Sequence, residues 1–172
     1  MSGFTPIPFD AEIPVPTDRR PPPLSVVLEP GEDLWVFGYG SLMWDPGFPH
    51  EEARPAVLHG FHRGFIVRST HYRGTAAAPG LVLGLARGGS CQGRAFRVAA
   101  GNHAAVLDYI WRREMINGLY LPYHVRIRFP HGGPVRALTM VVDTGHADCW
   151  PGLTLDHQAE IIAAACGWRG PN

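Results

Sequence analysis

What this chain has little of narrows its function before any motif is considered. Net charge is missing: fifteen basic residues are balanced by fifteen acidic ones, so no overall field favours nucleic acid or an anionic membrane as partner. No apolar run approaches the roughly 20 residues needed to span a bilayer. The N-terminal stretch has no basic segment followed by an apolar core, which excludes a secretory signal of the usual kind. Cysteines are few, and Cys91, Cys149 and Cys166 are widely spaced and odd in number. Without a CxxC pair they support neither a disulfide framework nor a zinc site, and a reducing, cytoplasmic setting is the default. The nine histidines form no HxH or HExxH pattern. His146, Asp148, Cys149 and His157 come nearest to a cluster, but they surround Pro151 and Gly152 in a loop-like stretch, and no metal is expected there.

What remains is a globular composition, with 45% hydrophobic and 17% charged residues, which is inconsistent with a disordered chain. Its 172 residues suit one domain with a single core. Residues 1–32 stand apart: the run FTPIPFDAEIPVPTDRRPPP is too rich in proline for a helix or central strand and reads as an extended leader. From residue 33 to 172 apolar, β-branched segments recur. LWVFG, AVLHGFHRGFIVRS, LVLGLAR, GRAFRVA, YHVRIRF and VRALTMVVD each read as a strand. PG at 79–80 and GGSCQG at 88–93 read as turns, the second as a hairpin turn, and Gly132, Gly133 and Pro134 part the last two strands. About six strands with few helices predict an α+β fold built on a small, strongly curved sheet or barrel.

One helix is well marked, over about 103–117, with Asn102 as its cap and Gly118 as a left-handed stop. Spacing at 100° per residue puts Val106, Leu107, Ile110 and Trp111 on one face, with Glu114 in the same stripe. A carboxylate on a buried face costs several kcal/mol unless paired, so Glu114 has either a partner or a catalytic role. Arg68 or Arg73, from a strand, are the expected partners; Arg112 and Arg113 are expected to face elsewhere.

The second informative stretch is WVFGYGSLMW, residues 35–44. An apolar strand ends there at Gly38, Tyr39, Gly40 and Ser41. Two glycines at a strand end point to a bend or to a ligand lying against the backbone. Consecutive N–H groups with a hydroxyl beside them can hold a carboxylate or a developing oxyanion. The stretch lacks GxGxxG and GK[ST], and no helix is expected to open after it, so phosphate is a poor candidate.

VFGYGSLMW, STHYRGT at 69–75 and WRREMINGLYLP at 111–122 together resemble, in order and spacing, the ChaC-like γ-glutamylcyclotransferases. The closing ACGWRGPN is similar to the AxGxxGxN stretch of that family, and the resemblance covers residues 34–172. It implies a small mixed β-barrel flanked by helices. It also implies a lyase activity that cleaves the small molecule glutathione to 5-oxoproline and Cys-Gly with no cofactor or metal, and with neither nucleic acid nor membrane as partner. By the same resemblance Glu114 corresponds to the catalytic acid/base, and Val36, Phe37, Gly38, Tyr39, Gly40 and Ser41 to the γ-glutamyl-binding loop. Arg73 and Tyr120 match family positions without an assigned role. Family chains usually continue past the GxN segment into a further helix, so the end at Asn172 leads one to expect a missing wall of the site. The same chemistry on other γ-glutamyl amino acids or amines, or binding without turnover, are the alternative readings.

Overall fold

Strand β1 (Leu34–Gly38) carries the most apolar of the expected segments, and Leu34, Val36 and Phe37 are buried. It is followed by a single 3-10 turn at Ser41–Met43, so a short helical turn does open after the glycines. Two long strands come next, β2 (Glu52–Ser69) and β3 (Gly80–Val98), then helix α1 (His103–Glu114), then β4 (Tyr120–Arg128) and β5 (Val135–Val142). Helix α2 (Leu155–Ala164) and a two-residue ribbon, β6 (Cys166–Gly167) with β7 (Gly170–Pro171), complete the chain. The computed structural model describes residues 28–29, 31–114 and 118–172. The expected extended leader lies almost wholly outside the described residues, as do positions 115–117 of the expected helix.

The five longer strands close into a barrel in the order β1-β3-β2-β4-β5. All neighbours are antiparallel except β1 and β5, which meet in parallel at Val36 and Leu138. The expected small mixed barrel with flanking helices is therefore what this chain forms. Phe37, Leu58, Leu85, Cys91 and Ile127 fill one part of the core. Val106, Tyr109 and Ile110 of α1 close another part against Leu34, Phe96 and Leu138. Each fully buried aliphatic or aromatic side chain contributes about 1.5–3 kcal/mol, so α1 is fastened chiefly by that face. Among the described residues no helix is long and apolar enough to cross a membrane.

One expected turn is not a turn. GGSCQG at 88–93 lies inside β3, which pairs with β2 from one end to the other. Gly88 and Gly89 have positive φ, 100° and 70°, and the facing Gly60 has φ 84°. They stand beside the register shift between His59 and Phe61. A β-bulge with glycine in the left-handed region bends and twists a strand without ending it. The glycines that suggest a hairpin thus let two long strands coil around the barrel together, and the real β2–β3 connection is the loop at 70–79. The Gly132 turn is as expected, with φ 119° between the antiparallel β4 and β5.

Gly93 shows how tightly β3 lies on β1. A Cβ there would be 2.4 Å from the Gly38 carbonyl oxygen and 2.5 Å from the Phe37 ring. Gly93→Ala is expected to destabilise the fold by about 1–3 kcal/mol, because the clash involves backbone as well as ring. A lower urea midpoint with an unchanged m-value is the signature to look for. An unchanged midpoint would mean that the strands can separate at little cost.

Candidate active site

A cavity of about 1150 Å³ opens at the end of β1. Gly40 and Ser41 form one side, the last turn of α1 another, the 70–79 loop a third and the C-terminal residues 169–172 a fourth. Of the residues singled out at the strand end, Val36, Phe37, Tyr39, Gly40 and Ser41 all line this space, and Gly38 does not. Gly38 has a packing reason for being glycine: a Cβ there would meet Leu42 Cβ at 2.8 Å. Nothing lies within 4 Å of the position a Cβ would take at Gly40. The two glycines around Tyr39 therefore differ, one making room for the protein's own side chain and the other facing open cavity.

Glu114 is the last described residue of α1, with its side chain in the cavity lining and about 20% exposed. Its partner is neither Arg68 nor Arg73. Arg68 is engaged with Asp148 at 2.6 Å, and Arg73 donates to the carbonyls of Arg169 and Pro171 at 2.9 and 2.8 Å. The partner is Arg113, whose Nε lies 3.1 Å from Glu114 Oε1. The expectation that Arg113 faces elsewhere is corrected by its place on the helix. It is i+7 from Val106, i+4 from Tyr109 and i+3 from Ile110, at the centre of the buried stripe, and its side chain is 4% exposed. That spacing is readable in the sequence. A charged residue at a core position is easily set aside because it is so rarely buried.

The Arg113 guanidinium donates both to the cavity lining and to buried groups behind it. Nη1 donates to the Asp45 carbonyl at 2.7 Å and to the Tyr109 hydroxyl at 3.0 Å, and Nη2 donates to Ser41 Oγ at 3.0 Å. The buried Asp45 carboxylate lies 3.6 Å from Nη1, and its Oδ2 makes no hydrogen bond among the described residues. Burial pushes the Glu114 carboxyl above its ordinary range, and the attraction of Arg113 and its hydrogen bond oppose that rise. Tyr39, Tyr72 and Tyr120 are all raised, first by burial and further by the negative charge of Glu114. Glu114 is thus a mostly buried carboxylate electrostatically coupled to three tyrosines, and Arg113 is its ion-pair partner among the described residues.

The fourth wall is the AxGxxGxN stretch. Trp168 and Arg169 donate their N–H groups to the His71 and Tyr72 carbonyls, each at 3.0 Å. The Asn172 amide brackets the Leu81 backbone, accepting from its N–H at 2.5 Å and donating to its carbonyl at 2.7 Å. Arg73, to which the resemblance assigns no role, ties the 70–79 loop to this tail. Tyr120 lines the cavity beside Tyr39. No cluster of three His, Cys, Asp or Glu among the described residues is placed to hold a metal ion. Asp148 of the loop-like cluster serves Arg68 instead.

Residues 34–172 match the family model described as ChaC-like protein. A glutathione-specific gamma-glutamylcyclotransferase of Escherichia coli is 39% identical over 139 residues, which is 81% of this chain and 60% of that protein. One from Schizosaccharomyces pombe is 34% identical over 84% of this chain and 80% of its own length. The chain therefore spans about three fifths of the bacterial relative and four fifths of the fission-yeast one. A crystal structure of a yeast gamma-glutamyl cyclotransferase specific to glutathione has the same fold, with TM-score 0.76 at 21% identity over 81% of each chain. With the family model covering its whole described barrel, cavity and tail, this chain belongs to the ChaC-like protein family.

Proposed function

We propose that this protein is a glutathione-specific γ-glutamylcyclotransferase. The observation that carries the reading is a mostly buried carboxylate, Glu114, lining one cavity together with Gly40 and Ser41. A γ-glutamyl peptide contains its own nucleophile. Its α-amine nitrogen attacks the γ-carbonyl carbon, a five-membered lactam closes, and the amide C–N bond to cysteine breaks. No water is consumed, and the products are 5-oxoproline and Cys-Gly. An intramolecular attack asks the protein mainly for geometry and proton handling.

The backbone N–H groups around Gly40 and Ser41 are suited to the substrate's α-carboxylate or to the developing oxyanion. Glu114 takes a proton from the ammonium and returns it to the departing nitrogen. A free glutamate and a peptide α-amine differ by roughly 3.5 pH units, an uphill transfer of about 5 kcal/mol. Burial of Glu114 raises its pKa and so narrows that gap.

The direction of this shift predicts the acid limb of the pH profile. Glu114 must be ionised to accept the proton, so kcat/KM falls as pH drops through its pKa. Because burial raises that pKa, the midpoint of the limb is expected above the ordinary glutamate value of about 4.3. A limb at or below that value would argue against a desolvated base. The substrate test is incubation of the purified chain with glutathione and, separately, γ-Glu-Ala, with 5-oxoproline quantified by mass spectrometry. Product from glutathione and not from γ-Glu-Ala is the expected result. The reverse would move the protein to other γ-glutamyl amino acids, and no product from either, in a folded chain, would make it a binder.

A further inference from the structure

We infer that Arg113 is a positioning residue that joins the base to the substrate-binding loop, so that Glu114 and the Gly40–Ser41 turn are held as one rigid unit. The inference deepens the proposed function and rests on it for what the unit does. Its geometric content stands on its own. One guanidinium reaches Glu114 through Nε and Ser41 Oγ through Nη2, and it also holds the Asp45 carbonyl just past the 3-10 turn. Ser41 and Arg113 are 72 residues apart, so no backbone connection of short length fixes the distance between loop and helix end. The planar fork fixes it instead, because three donor nitrogens of set spacing point to both walls at once.

The charge arrangement points the same way. Two carboxylates, Glu114 at 3.1 Å and Asp45 at 3.6 Å, share this single cation. Among the described residues the other groups facing it are the hydroxyls of Tyr109 and Ser41 and the Pro46 carbonyl, with Tyr72 and Arg169 at longer range. A purely structural arginine would need only the Asp45 side of this network. The Nε contact on the cavity side is what gives Glu114 a fixed orientation and keeps its ionised form accessible despite burial. A lysine could supply the charge but not the fork.

Four chains test the inference: the natural one, Arg113→Lys, Arg113→Met and Ser41→Ala. Each is prepared with 13C at the glutamate carboxyl carbons, and Glu114→Gln identifies the Glu114 resonance. The carboxyl titration is followed by NMR, and kcat and KM are measured alongside. The Glu114 titration is expected to move to higher pH in Arg113→Met and part of the way in Arg113→Lys. Ser41→Ala is expected to leave that titration in place and to raise KM by about tenfold, the loss of one charge-assisted hydrogen bond to the loop. If Arg113→Met does not fold, the lysine and alanine variants decide. A Glu114 titration in folded Arg113→Lys that coincides with the natural chain, together with an unchanged KM in Ser41→Ala, overturns the inference. A natural chain without turnover would count against the proposed activity, while the titration, which needs no turnover, still decides the coupling.

Discussion

Glu114→Gln is expected to fold as the natural chain does and to lose turnover by about 10²–10⁴-fold, the usual contribution of general acid–base catalysis. The substitution keeps size and shape. Its amide oxygen can still accept from Arg113 Nε, now 3.1 Å from the carboxylate, and Asp45 remains to balance the buried cation. What the amide cannot do is take a proton from the substrate ammonium. The loss should therefore appear in kcat, with KM nearly unchanged, if chemistry limits turnover. Thermal unfolding of the variant serves as the control on folding, and 5-oxoproline by mass spectrometry gives the rate. A variant with near-normal turnover would remove Glu114 from the mechanism and leave it as the partner of a structural arginine.

The second large effect is expected at the far wall. Gly167→Val should both destabilise the protein, by about 1–3 kcal/mol, and depress kcat/KM on the order of 10²-fold. A Cβ at Gly167 would lie 2.4 Å from the Gly74 nitrogen and 2.6 Å from both the carbonyl carbon and oxygen of Tyr72. All three are backbone atoms, so no side chain can swing aside. Relief requires the tail to lift from the 70–79 loop, which breaks the Trp168 and Arg169 hydrogen bonds to His71 and Tyr72. The Arg73 contacts to the Arg169 and Pro171 carbonyls would be strained with them. Tyr72 and Arg169 both line the cavity, so the disturbance reaches it even though Gly167 does not line it. Unfolding by urea and steady-state kinetics separate the two effects. A stable variant with normal kcat/KM would show that this wall is dispensable.

The tail also resolves an ambiguity in the sequence. ACGWRGPN offers no periodicity, and an exposed tryptophan, Trp168 at 70%, is as compatible with a frayed end as with a wall. Gly170 turns the chain locally with φ 94° and faces open space, but the first tail glycine makes sense only against a partner segment. Gly167 is pressed on Tyr72 and Gly74, and Gly80, beside Arg73, is pressed on Asn172. Both are contacts between stretches that lie far apart in sequence.

Local pattern was enough for the features that depend on near neighbours. Alternation and β-branching mark the strands, a stripe of Val106, Ile110 and Trp111 marks α1, and the left-handed Gly118 and Gly132 (φ 73° and 119°) stand where the chain must turn. The strand-end glycines and the misplaced Glu114 are legible for the same reason, because each breaks a pattern set by the residues beside it. Pattern could not distinguish a glycine pair that ends a strand from one that bends it, since positive φ serves both. Only the pairing of β3 with β2 through Ser90, Cys91 and Gln92 decided that. Nor could it choose the partner of Glu114. A helix wheel gives a direction but not what stands there, and the ion pair with Arg113 depends on Ser41, Asp45 and Tyr109 converging on one guanidinium. Residue pattern alone reached a strongly curved sheet or barrel, a glycine-rich strand end and one out-of-place carboxylate. Only contacts made across the fold settle which of the two glycines faces the cavity, which arginine pairs with Glu114 and what forms the far wall.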